Sequence, residues 1–249
     1  MAEPPSRFAP LSLAGSGTQQ RYVKRLKIPL KRRKDQMHIK DYMKNHFNDL
    51  VLCPPLFYNW DTGIRFELGD PSIDWAEKDK YMRQVYIRAL EIYKALHNND
   101  DELYVVTMAH FSNVPKQKVK KLNLYKRYIN NKTVLKRLNL DIIPNIFAEE
   151  DEEPIPKDNT YRYWVRCKAC EVRHVQLIKS ICNHEVGLKP RVYQRVYFIN
   201  ITTGTIFHIY DDRGCDVISI LSNSIQNLFE KYNDWILDYD RERINAVFI

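Results

Sequence analysis

Glycine is scarce in this chain, with seven among 249 residues. That leaves little material for a loop whose bare backbone cradles phosphate. Neither G-x-x-x-x-G-K-[S/T] nor G-x-G-x-x-G occurs, and the nucleophile elbow G-x-S-x-G is missing too. No window reaches 18 consecutive apolar residues, so no segment reads as a membrane span. Near the start, Leu11-Ser12-Leu13-Ala14 is too short an apolar run for a secretory signal. Without that signal, the five cysteines are expected as free thiols in a reducing compartment, not as disulfides. No motif calls for a cofactor.

Charge is present but unevenly placed. The net charge is +8. Residues 1–40 hold ten Lys/Arg against two acids, and the remaining residues hold 29 of each sign. The basic character therefore belongs to the N-terminal arm. Residues 1–20 are rich in Pro, Ser, Gly and Ala without periodicity, and 21–34 are strongly basic. Residues 1–36 are expected as a disordered basic arm or a start-site extension, with Met37 opening the globular part. The high aromatic content, 12%, suits a packed core.

Hydrophobic periodicity outlines the rest. A short helix is expected at 38–47. An irregular segment at 50–60, broken by Pro54 and Pro55, precedes a strand at 63–68 that puts Ile64, Phe66 and Leu68 on one face. From Asp74 to His97 the stripe Trp75, Met82, Val85, Ala89, Ile92, Leu96 predicts a helix, with Asp74 at its cap. A strand at 102–111 and a helix at 116–129 follow. The run 148–159 is acidic and has no means of building a core, so it is expected to link two subdomains, 37–147 and 160–249. The second half reads strand 160–170, helix 173–185, strands 192–200, 205–211 and 215–220, then a helix with the stripe Ile225, Leu228, Tyr232, Trp235 or Ile236, and Tyr239. This order predicts an α+β fold, a mainly antiparallel sheet with helices packed on one face.

Two blocks carry a family resemblance. They are H-F-N-D-L-V-L-C-P-P-L-F-Y-N-W-D-T-G-I-R-F-E-L-G from His46, and Y-F-I-N-I-T-T-G-T-I-F-H-I-Y-D-D-R-G-C-D-V-I with E-K-Y-N-D-W-I-L-D-Y-D-R near the C-terminus. Over residues 40–247 the chain resembles an uncharacterised family, a domain of unknown function found mostly in Bacillus and its relatives. The resemblance implies a bacterial, cytoplasmic, stand-alone protein, and it assigns no catalytic or binding residue.

Three constellations could carry chemistry. Asp211, Asp212, Arg213 and Asp216 form the densest polar cluster, and carboxylates there could hold a hard metal ion. Asp and Gly are also what a turn between strands requires, and that reading outweighs the first. Asp212, Arg213 and Asp216, with Trp235, Asp238 and Asp240, are then expected on an exposed recognition surface. Second, Lys116, Lys118, Lys120, Lys121, Lys126 and Arg127, interleaved with Tyr125, could meet nucleic-acid phosphates and bases, in a stretch with no acidic residue from Leu103 to Leu140. A solvated helix face is the plainer alternative. Third, Cys167, Cys170, Cys182 and His184 could supply four zinc ligands. Their spacing is not a zinc knuckle, and strand alternation would send Cys167 and Cys170 to opposite faces. The expectation is thus a non-enzymatic protein-binding module without metal, cofactor or membrane, in one form an immunity-type protein that masks a toxin. Nucleic-acid binding or processing through the basic helix at 116–137 and the Asp211–Asp216 cluster is the alternative.

Overall fold

The computed structural model describes residues 37–111, 123–146 and 159–249. The expected arm at 1–36, most of the acidic stretch at 148–159, and Lys116, Lys118, Lys120 and Lys121 lie outside the described residues.

Among the described residues, seven strands form one fully antiparallel sheet. They are β1 (Gly63–Glu67), β2 (Glu102–Phe111), β3 (Asn139–Pro144), β4 (Asn159–Lys168), β5 (Arg195–Asn200), β6 (Thr205–Ile209) and β7 (Gly214–Ser219). Their order across the sheet is β1-β7-β6-β5-β2-β4-β3. β2 lies between β4 and β5, and β1 pairs with β7. Strands from both expected subdomains therefore share one sheet, and residues 39–249 form one compact unit. The acidic stretch marks a change in composition, not a boundary between cores.

The α-helices among the described residues are α1 (Ile39–His46), α2 (Lys78–Leu96), α3 (Asn123–Tyr128), α4 (Lys132–Leu135), α5 (His174–Val186), α6 (Gln226–Lys231) and α7 (Asp238–Phe248). The α+β class stands. Six of these helices bury side chains in the larger core, with Val105, Val165, Phe198, Phe207 and Val217 of the sheet. α1 is the exception. It packs Ile39, Tyr42 and Met43 on the opposite face, beside Phe47, Leu52 and Leu56 and against Tyr104, Trp164, Tyr197, Ile206 and Ile218. With both faces covered, the central strands have no solvent side, and every residue of β6 and β7 is buried. None of the described helices is long and apolar enough to cross a membrane.

Local chemistry sets the element ends. The Asp74 side chain accepts the Ala76 amide at 2.8 Å, starting the 3-10 turn that leads into α2. Trp75 sits on that turn and is 58% exposed, so the helical stripe begins at Met82 rather than at Trp75. Asn131 caps α4 by accepting the Thr133 amide at 2.8 Å. Gly204 ends the β5–β6 turn at φ 69°, a conformation that strains residues carrying a Cβ. The expected single C-terminal helix is broken: α6 stops at Lys231, a 3-10 turn spans Asn233–Trp235, and α7 restarts at Asp238. Tyr239 accordingly leaves the predicted stripe and is 83% exposed.

Candidate functional site

Strand alternation places a polar row on the face under α1. Ile64 and Phe66 point into the larger core, so Arg65 between them points to the other side. Cys215 and Val217 do the same for Asp216. Cross-strand register then aligns Arg65 with Asp216, Asp216 with His208, and His208 with Tyr197. Four neighbouring strands thus contribute one continuous polar row inside the fold.

At its outer end the row becomes an ionic cluster. Arg65 Nε donates to Asp216 Oδ1 at 2.9 Å, and the Phe57 amide donates to Asp216 Oδ2 at 3.3 Å. Arg65 Nη1 donates to the Tyr58 oxygen at 3.3 Å and lies 3.8 Å from Asp240 Oδ2. The Tyr58 hydroxyl donates to Asp240 Oδ1 at 2.7 Å. The Arg65 guanidinium lies over the rings of Tyr58, Tyr210 and Phe57 at 4.7, 5.2 and 5.6 Å. Arg243 of α7 lies over Phe57 and Tyr58 at 5.0 and 5.7 Å. One cluster therefore joins β1, β7, the turn at 56–59 and α7.

Electrostatics follow from burial. Removal from water pushes the Asp216 carboxyl up, while Arg65 and the Phe57 amide pull it back. Burial opposes the charge on Arg65, yet Asp216 leaves the guanidinium's pKa raised. Tyr58 is pushed up to about 12 by burial and by its hydrogen bond to Asp240, with Tyr239 nearby adding to the effect. Tyr58 therefore stays a hydrogen-bond donor at neutral pH. Burial pulls His208 down to about 4. Its ring is neutral, stacked on Tyr197 with centroids 4.2 Å apart. A carbonyl only accepts, so Nδ1 carries the proton and donates to the Val196 oxygen at 2.8 Å. His208 Nε2 and the Tyr197 hydroxyl find no hydrogen-bond partner among the described residues. Both Asp216 oxygens are engaged and Tyr58 holds its proton, so the cluster is built to fasten α7 to the sheet edge.

The expected recognition residues divide in two. Arg213, Asp238 and the neighbouring Tyr239 are exposed. Asp212 is not: it is buried and accepts the Tyr81 hydroxyl at 2.7 Å, because the β6–β7 turn folds under the start of α2. Asp216 and Asp240 are likewise buried, as members of the ionic cluster. Trp235 is half-buried, stacked on Tyr232 at 4.5 Å with Arg88 over its ring at 5.3 Å. Arg65, Tyr58 and Arg243 were missed. The signal for Arg65 was a cation between two core residues of a strand.

The basic helix is corrected at its aromatic. Tyr125 is fully buried and donates to the Tyr163 carbonyl at 2.9 Å, so it cannot stack on a base. Lys126 and Arg127 are exposed. The four suggested zinc ligands are not brought together. Cys167 and Cys182 are buried in the larger core, Cys170 is exposed on a 3-10 turn, and His184 pairs with Glu185 at 3.4 Å. Among the described residues no group of three or more His, Cys, Asp or Glu could hold a metal ion.

A family model described as a domain of unknown function, DUF3885, matches residues 39–240. The chain is 30% identical over 213 residues to the uncharacterised protein YnaE of Bacillus subtilis (strain 168), spanning 82% of this chain and 99% of that protein. No solved structure matches.

Proposed function

The chain belongs to the domain-of-unknown-function family DUF3885, and we propose that it works as a non-enzymatic, cytoplasmic protein-binding module whose recognition surface is centred on the start of α7. One observation carries this reading. Tyr239 stands 83% exposed and Tyr58 39% exposed beside it, on a base made rigid by the buried cluster of Arg65, Asp216 and Asp240. Asp238, Glu242 and Arg243 of α7 are exposed as well, and Arg243 lies over the Tyr58 ring at 5.7 Å. Tyrosine and arginine are enriched in interface hot spots, and Tyr58, held by Asp240 and lying under Arg243, loses little conformational entropy when a partner docks. The acids that could have supported metal chemistry are instead engaged: Asp212 by Tyr81, Asp216 by Arg65 and the Phe57 amide.

A toxin masked by this surface is one form of the reading, the immunity form. The test uses the protein of the neighbouring gene as candidate partner, purified and titrated against this chain. Wild-type protein is expected to bind, and Tyr239→Ala to weaken binding by at least 1 kcal/mol, about fivefold, as hot-spot tyrosines do. Equal affinity of wild type and variant for a bound partner would place recognition elsewhere.

A further inference from the structure

We propose that the shoulder formed by α3, α4 and the turn before α5 is a second binding surface, one that holds the phosphate backbone of double-stranded nucleic acid without reading its sequence. Its cations are Lys126, Arg127, Lys132, Lys136, Arg137 and Arg173, all but Arg173 on or just after two consecutive short helices. Lys126, Arg127, Lys132, Lys136 and Arg137 are exposed and form no ion pair with a described residue. No acid occurs from Leu103 to Leu140, the stretch that carries five of the six. Glu171 is the nearby acid, and its carboxylate is held by the Asn131 amide at 2.5 Å and the Lys168 backbone at 2.8 Å.

The shoulder is rigid. Tyr125 anchors α3 through the Tyr163 carbonyl, and Tyr128 donates to Ser180 of α5 at 2.7 Å. The Asn130 amide donates to the Glu171 carbonyl at 2.8 Å, and the Arg173 amide to the Tyr128 carbonyl at 2.8 Å. The cations therefore stand on a surface that pays little ordering entropy on binding. The same anchoring selects the ligand. Tyr125 and Tyr128 are buried, so no ring is offered to an unpaired base, which single-strand binders require. Leu124 and Val134 are buried as well, leaving α3 and α4 without an exposed large apolar side chain to enter a lipid surface. Closely spaced phosphates remain the ligand that this charge fits, with counterion release as the driving force.

The experiment is fluorescence anisotropy of a duplex of about 20 base pairs with the full chain, across a salt series. The comparison is with Lys126→Glu/Lys132→Glu/Lys136→Glu, whose side chains carry no structural hydrogen bond among the described residues and whose melting temperature serves as the folding control. Residues 21–34 contribute their own cations, so only the difference between the two proteins is read. The variant is expected to bind at least tenfold more weakly at low salt. Its slope of log K against log salt should be shallower by about 2–3, at roughly 0.9 per lost phosphate contact. An unchanged affinity and slope in the folded variant would overturn the proposal. So would tighter binding to a single strand of the same length, or to vesicles of anionic lipid, than to the duplex.

Discussion

Replacing Asp216 by Ala should be among the most damaging single changes in this protein. The carboxylate is fully buried and balances Arg65, whose side chain is only 14% exposed. Without it the guanidinium keeps the Tyr58 oxygen at 3.3 Å and Asp240 at 3.8 Å, and the Phe57 amide loses its acceptor. Leaving one partner of a buried pair costs about 3–5 kcal/mol. The residual contact with Asp240 places the expected loss near the lower end, about 3 kcal/mol, a large share of the roughly 5–15 kcal/mol that a domain has. Urea unfolding followed by tryptophan fluorescence and far-UV dichroism measures it, with the slope of the transition checked for constancy. Arg65→Leu combined with Asp216→Leu should recover much of the loss, because an apolar pair removes the uncompensated charge. A cost below about 1 kcal/mol for Asp216→Ala, or a double variant as unstable as the two single losses added together, would refute the picture of a buried and mutually dependent pair.

At the β6–β7 turn, Asp212→Ala should cost about 1–3 kcal/mol, since it orphans the Tyr81 hydroxyl, while Arg213→Ala stays within about 0.5 kcal/mol; the reverse order in melting experiments would mean that the turn is misassigned. His97 and His208 are each held by burial at a pKa of about 4 against an ordinary 6.5. Their neutral forms contribute stability that is present above about pH 6.5 and lost as pH falls through about 4, roughly 3 kcal/mol for each. His208→Gln should flatten that acid limb of the stability–pH curve, and an unchanged limb would show that the ring is not kept neutral.

Much of the fold was legible in local pattern. The strand at 102–111 and the buried run Met82, Val85, Ala89, Ile92 and Leu96 follow from period-2 and period-3.6 spacing alone. The site was less legible, because its contacts are long-range. Arg65 meets Asp216 across 151 residues of sequence, and Tyr58 meets Asp240 across 182. No window holds both partners. Asp212 and Asp216 read as surface acids because Asp is common in turns, yet the sheet is covered on both faces and the β6–β7 turn folds under α2. Gly214 shows a similar limit. It belongs to β7 without a positive φ, and its need is space: a Cβ there would fall 2.0 Å from the Tyr210 oxygen and 2.8 Å from the Phe66 carbonyl.

The recognition surface at the start of α7 is tested most directly by site-specific photocrosslinking in cells that express the protein, with p-benzoylphenylalanine at Tyr239 and, as control, at Ile87, which is 54% exposed on α2. A discrete protein adduct at position 239 that is absent at position 87 is the predicted result. No adduct at 239, or the same adducts at both positions, would contradict it.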